Sequence, residues 1–324
     1  MEGSFIYANG RISGEETTLL DQRMWQMLIS SSNEQEAMRL LGDTWYGGFM
    51  QSHSMEDCFI KAMESTEDEL VELSEDERLV RGILHRRDVR NARYIWKKIL
   101  SGDGSDEEID VERSGLIETE TLREAVKSVE SRDELPPLFL QTLEELLEID
   151  RVSTAEVDRK MDRLAAAVES IELTDINSDF RTFVMTSIEQ KNFLTASRCG
   201  IDGVSRQEVR KLLLPGGYHT EDEIAGAYQR RILPDLLAET PGFDETGTVF
   251  IEALETGFFS GFERECDRML LELLEKGAFP VFGPSPLAAF VIRREMEISH
   301  LRLLLAAKSA GVKEDRLKTR LPRG

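Results

Sequence analysis

A short pattern occurs three times in the chain, about one hundred residues apart, and it constrains the fold more than any other feature. The copies are Asp88-Val89-Arg90-Asn91, Glu189-Gln190-Lys191-Asn192 and Glu297-Ile298-Ser299-His300. Each has an acid followed three residues later by a planar hydrogen-bonding side chain. Eleven positions further on stands a glycine, Gly102, Gly203 or Gly311. The offsets between copies are 101 and 108 residues, so insertions are small. Three copies of one unit point to a scaffold of approximate threefold design, away from a single catalytic cleft.

The pattern reads as helix. Residues i and i+3 share a helical face. Apolar positions follow in step: Ala92, Phe193 and Leu301, then Ile95, Ala196 and Leu304. Gly203-Val204 and Gly311-Val312 have the form of a left-handed glycine stop with a hydrophobic residue after it. Elsewhere, Asn33 to Glu36 and Ser205 to Glu208 read as capping boxes, the first opening a helix that stops near Gly42. The second helix runs to Leu214, where Pro215-Gly216-Gly217 breaks it. Ser285-Pro286 reads as an N-cap serine with proline at the first helical position, opening an uninterrupted helix to Ala310. That helix would be about 37 Å long. Its inner stripe is Leu287, Val291, Ile298, Leu301 and Leu305, with Arg294 intruding. The acidic run Glu64 to Glu77 carries spaced leucines and valines and reads as a helix with a solvated face.

Polar, glycine-bearing loops at Ser101 to Glu108 and Leu214 to Thr220 mark boundaries. They divide the chain into helical lobes at residues 1–103, 104–217 and 218–324. The expected fold is all-α, three similar helical bundles in a pseudo-threefold arrangement.

Charge and missing motifs exclude several functions. With 62 acids against 40 bases the net charge is −22. A nucleic-acid partner needs a basic surface, and anionic lipid repels an acidic one. No apolar run reaches the roughly 20 residues that span a bilayer. Met1 to Gly14 lacks the charged and apolar regions of a secretory signal. Cys58, Cys199 and Cys266 form neither a CxxC pair nor a zinc spacing, as expected of buried thiols in a reducing compartment. No phosphate-binding glycine loop, HExxH or GxSxG occurs. Glu297 to His300 is an ExxH, the spacing of di-iron bundles, but no second ExxH exists and the equivalent copies carry Asn91 and Asn192. No metal or cofactor is therefore expected. Trp25 and Trp96 fall on apolar helical faces, and Trp45-Tyr46-Gly47-Gly48 reads as a packed turn.

Three stretches carry a family resemblance: YANGRISGEETTLLDQRMWQML (Tyr7 to Leu28), AMRLLGDTWYGG (Ala37 to Gly48), and Phe282 to Leu321 with its proline-bearing turn, long helix and closing acid-x-x-His-Leu-Arg. In these the chain resembles the C subunit of the V-type/A-type rotary ATPases and is similar to the d subunit of the eukaryotic V-ATPase. It departs from the family pattern at Gly10 and Gly14 in the first helix and at Asn192-Phe193-Leu194-Thr195. The resemblance implies an all-α funnel of three lobes and a non-catalytic rotor part. Such a part stands on the membrane ring of ion-carrying subunits and receives the foot of the central shaft, made of the D and F subunits. It implies a cytoplasmic location, peripheral to the membrane. A helical-repeat adaptor outside any rotary ATPase would share the repeats and the missing active site.

Asp88, Asn91, Glu189, Asn192, Glu297 and His300 are the candidate site residues. They either face a partner or tie each closing helix to its neighbours. Because buried polar groups ordinarily satisfy other protein groups, the tie is favoured.

Overall fold

The computed structural model describes residues 5–50, 54–101, 115–277, 283–318 and 321. The expected first linker beyond Ser101, the repeat glycine Gly102 and the boundary at 103/104 lie outside the described residues. Among those described, the chain is all-α, without a strand. The helices are α1 (Phe5–Glu15), α2 (Gln22–Ser30), α3 (Glu34–Gly42), α4 (Met55–Leu73), α5 (Glu77–Ser101), α6 (Thr119–Lys127), α7 (Pro137–Leu147) and α8 (Thr154–Leu173). Then come α9 (Ser178–Asp202), α10 (Arg206–Leu212), α11 (Glu221–Arg230), α12 (Leu233–Ala238), α13 (Gly247–Thr256), α14 (Ser260–Gly277), α15 (Ser285–Ser309) and α16 (Glu314–Lys318). They form two compact units. One joins the two ends of the sequence, Met1–Asp76 with Pro234–Gly324; the other is Glu77–Leu233.

The second unit is organised by α5 against α8. Arg78, Arg81, Arg86, Arg93 and Lys97 on α5 pair with Asp175, Glu172, Glu169, Asp162 and Asp158. Each step along α5 is matched by a comparable step back along α8, so the pairs form an antiparallel ladder. The outer pairs are exposed and each contributes at most about 1 kcal/mol, while Glu169 of the middle pair is buried; the outer pairs set register more than stability. Stability comes from the core beneath, where Ala92, Ile95 and Trp96 of α5 meet Phe139, Leu143, Met161 and Leu164 of α7 and α8. The approach is closest at Gly82, where a Cβ would come within 2.3 Å of the Leu173 side chain. The ladder thus pairs five of the eight Lys and Arg residues of α5 with acids of the same unit.

The first unit is built on α15, which packs against α1, α3, α4 and α14. Leu287, Val291, Ile298, Leu301 and Leu305 are buried as a stripe, and so is Arg294. Asn9 of α1 donates to the Gly283 carbonyl just before α15 (3.1 Å). Lys308 near the other end of α15 donates to the Ile29 carbonyl (2.6 Å) and to that of Ser31, closing the end of α2. The helix α1 runs through Gly10 and Gly14 without a break.

Local signals held where they depended on neighbours in sequence. Ser205 makes a full capping box on α10, whereas Asn33 caps α3 without completing the expected box, because the Glu36 carboxylate accepts from the Ser32 N–H instead. Gly203 and Gly311 are left-handed, at φ 67° and 69°, and Val204 and Val312 close back onto Cys199 and Ala307. Trp25 and Trp96 are buried. Two further expectations are corrected. Ser285 is not an N-cap: α15 begins at Ser285 itself, because Pro284 already has near-helical dihedrals and occupies the cap position without a side-chain bond. The helix α10 stops at Leu212 rather than Leu214, because both backbone groups of Leu214 are taken by Asn192. The run Glu64 to Glu77 is helical to Leu73 and broken at Ser74–Asp76, and Glu77 opens α5.

Candidate functional site: three carboxylate clamps

The helices α5, α9 and α15 are each 25 residues long, and each repeat acid lies midway along its helix. The acid reaches sideways and holds a different stretch of chain in each case.

On α5, Asp88 is fully buried. Its Oδ2 accepts from the Leu116 N–H (3.2 Å) and its Oδ1 from the Ile117 N–H (3.1 Å). His85, one turn earlier, places Nδ1 2.7 Å from Oδ2. The clamped pair lies just ahead of α6, which Trp96 also holds through the Leu122 carbonyl (2.9 Å). Asn91 is buried one turn beyond Asp88.

On α9, Glu189 is fully buried. Its Oε2 accepts from the N–H groups of Tyr218 (2.9 Å) and His219 (3.3 Å), and its Oε1 lies 2.6 Å from His219 Nδ1. Asn192 reads both sides of one residue: Nδ2 donates to the Leu214 carbonyl (2.8 Å) and Oδ1 accepts from its N–H (2.7 Å). The clamped pair lies just ahead of α11.

The first two clamps share a cause in sequence. Each clamped pair follows a glycine on which the carboxylate rests. A Cβ on Gly115 would fall 2.2 Å from Asp88 Oδ1, and one on Gly217 2.2 Å from Glu189 Oε2. A carboxylate can approach backbone that closely only where no side chain intervenes. These glycines were the readable signal for the two loops; they stand out only as breakers until the acid is placed.

The clamp on α15 is different. Glu297 Oε2 accepts from the Leu20 N–H (2.6 Å), just ahead of α2, but Oε1 accepts from the Tyr46 hydroxyl and from Arg294 Nη1, each at 2.8 Å. Arg294 is fully buried. It also donates to the carbonyl and hydroxyl of Thr18, and its guanidinium lies 4.0 Å over the Trp45 ring. Burial pushes the Glu297 carboxyl above the usual carboxylate range, and Arg294 pulls against that shift. Burial likewise raises the Tyr46 hydroxyl. His300 takes the place of the amide; burial lowers its pKa, and its ring meets Trp25 edge-on at 6.2 Å. Arg294, read from sequence as an intruder in an apolar stripe, is the centre of this clamp.

In sequence the first two clamps span 28 to 30 residues, whereas the third spans 277. The third long helix thus holds, near its middle, a segment from the other end of the sequence. The six residues expected as candidates thus lie on three separate helices, where Asp88, Glu189, Asn192 and Glu297 bond other segments of the chain, Asn91 is buried and His300 meets the Trp25 ring. Among the described residues no group of three or more His, Cys, Asp or Glu side chains could hold a metal ion. No helix there is long and apolar enough to cross a membrane.

A family model described as "ATP synthase (C/AC39) subunit" matches residues 8–320. The chain belongs to that family. Among its relatives, the C subunit of the A-type ATP synthase of Methanocaldococcus jannaschii is 24% identical over 349 residues, covering 98% of this chain and 86% of that protein. The C subunit of the A-type ATP synthase of Pyrococcus abyssi is 23% identical over 338 residues, covering 97% and 89%. The corresponding protein of Methanococcoides burtonii is 21% identical over 353 residues, covering 98% and 94%. This ATP synthase family member thus matches its relatives along nearly its whole length.

Proposed function

We propose that the chain is a non-catalytic central-rotor subunit of a V/A-type proton- or sodium-translocating ATPase or ATP synthase. In this reading it is cytoplasmic and peripheral to the membrane. It stands on the membrane ring and receives the foot of the shaft formed by the D and F subunits, passing rotation between them. Its three lobes, at residues 1–103, 104–217 and 218–324, surround the shaft foot as a funnel.

The observation that carries the reading is the match to the ATP synthase (C/AC39) family over residues 8–320. The clamps supply a physical reason why such a chain could transmit torque. A coupler must resist shear, and close-packed helices tied by buried, fully bonded carboxylates are stiff. Gripping surfaces must also hold without slip. With a net charge of −22, the acid surface is suited to basic residues on the shaft.

The test is reconstitution. Purified membrane ring and purified shaft pair should co-elute only when this chain is added. Shaft affinity should weaken as salt is raised, because screening acts on exposed charge pairs. A chain that binds neither partner would overturn the proposal, and salt-independent shaft affinity would remove its electrostatic part.

A further inference from the structure

Residues 5–31, which hold α1, α2 and the loop between them, lie along α15 in parallel and in step with it. Asn9 donates to the Gly283 carbonyl (3.1 Å), and Arg293 Nη1 pairs with Glu16 Oε1 (3.1 Å). Arg294 donates to the carbonyl and hydroxyl of Thr18, and Glu297 accepts from the Leu20 N–H (2.6 Å). The His300 ring then meets Trp25, and Lys308 donates to the carbonyls of Ile29 and Ser31. Across these hydrogen bonds the partners stay 274 to 279 residues apart in sequence. In the antiparallel α5–α8 ladder the separation falls instead, from 91 at Arg81 to 61 at Lys97. A nearly constant separation means that each residue gained along α15 meets one residue gained along the segment.

The segment has little to hold it in shape by itself. Its helices have 11 and 9 residues, below the roughly 12–15 at which an isolated helix is marginal in water. Gly10 and Gly14 weaken α1 further, because glycine is a poor helix former. Neither is there to admit a neighbour, since a Cβ at either position meets nothing within 4 Å. The loop between the helices is shaped from outside, with Thr18 and Leu20 both bonded by side chains of α15. Phe5, Ala8, Ile12, Trp25, Leu28 and Ile29 are buried, so the order of the two short helices rests on packing rather than on propensity.

We propose that residues 5–31 are a strap that seats on α15 as one cooperative element and releases from it as one, while Glu77–Leu233 stays folded. The second unit is contiguous in sequence, and its two clamps close within 30 residues, so it forms without α15. The strap waits for a seat that follows Leu20 by 277 residues. Elements of this kind open at a lower free energy than the whole fold. Gly10 and Gly14 keep that release accessible by holding α1 close to the threshold of order.

The test is native-state hydrogen exchange of the full-length chain in rising, sub-denaturing guanidinium. The hydrogen-bonded amides of α1, Leu20 and α2 should share one opening free energy and one denaturant slope, and those of α9 should exchange by a costlier opening. Gly10→Ala with Gly14→Ala adds only helix propensity. It should slow exchange about tenfold or more, and by the same factor at Leu20 and in α2 as in α1. Lys308→Ala, at the far end of the seat, should speed exchange in α1 by the same factor as in α2. Neither variant should change exchange in α9. Effects confined to α1 for the first variant and to α2 for the second would overturn the proposal, because the ties would then act independently. A gradient of opening from Phe5 to Ser31, the pattern of a fraying end, would also overturn it. So would an equal change in α9, because the chain would then open only as a whole.

Discussion

The clamps on α9 and α15 begin from equivalent residues and end in different chemistry. Glu189 holds backbone: two N–H groups and the His219 ring, all from one loop within 30 residues. Glu297 holds one N–H, a phenol and a guanidinium, supplied by Leu20, Tyr46 and Arg294. The difference follows from where the clamped segment comes from. A loop that trails its own helix can lay two consecutive N–H groups on the carboxylate, provided a glycine precedes them. A segment from the far end of the sequence offers only one, and Leu19 stands before it in place of glycine. The remaining carboxylate charge is then met by a buried arginine, which needs its own cage of Thr18, Trp45 and Glu297. One unit therefore builds its clamp from backbone, and the other from a buried ion pair, where loss of one partner strands the other.

That contrast can be broken most forcefully at Arg294. Arg294→Met leaves the Glu297 carboxylate buried without its cation and should cost about 3–5 kcal/mol in chemical denaturation. Adding Glu297→Gln should recover part of the loss, because the stranded charge is gone. If Arg294→Met alone is neutral, the pair is not holding the segment. A smaller effect is expected at Gly217. Alanine there drives a methyl into Glu189 Oε2 and should cost about 1–3 kcal/mol, by the general cost of overpacking. Gly115→Ala should behave alike against Asp88. Alanine at Gly10 or Gly14, where a Cβ meets nothing within 4 Å, should instead stabilise by up to about 1 kcal/mol.

The smallest effect concerns pH. Because burial lowers the His300 pKa below its ordinary value of 6.5, the folded chain binds fewer protons than the unfolded one in that window. The contribution of His300 is full above 6.5 and is lost as pH falls through the folded pKa. Glu297 titrates with the opposite sign: its raised pKa makes its contribution greatest at acid pH, and it declines as pH rises past the ordinary carboxylate value. His300→Asn, which installs the amide of the other two copies, should flatten the dependence between pH 6.5 and the folded value, read by thermal melts at stepped pH. An unchanged slope would mean that another group carries it.

What was legible in the sequence was what depends on near neighbours. The period of α5, α9 and α15 could be read, as could the glycine stops at Gly203 and Gly311 and the box at Ser205. The clamped loops were half legible. Gly217 was visible as a breaker, but its second role, admitting Glu189, needs the loop and helix in contact. Leu20 as the partner of Glu297 could not be read, because a tie across 277 residues leaves no local pattern. Arg294 looked out of place for the same reason: an amphipathic stripe records hydrophobicity, while the cage that justifies the charge comes from Thr18 and Trp45. The α5–α8 ladder also went unseen. Its acids carry no local sign of a partner until α5 is laid against them.

We propose that the repeated polar residues are internal ties and that partners are met on the surface. Asn192 tests this most directly, since it is buried and its side-chain amide bonds both backbone groups of Leu214. The measurement is Asn192→Ala with two readouts, thermal unfolding of the chain and its affinity for the shaft pair below the melting range. Loss of both bonds should lower stability by about 1–3 kcal/mol while the affinity stays at that of the parent chain. A variant that melts normally yet binds the shaft weakly would contradict the account.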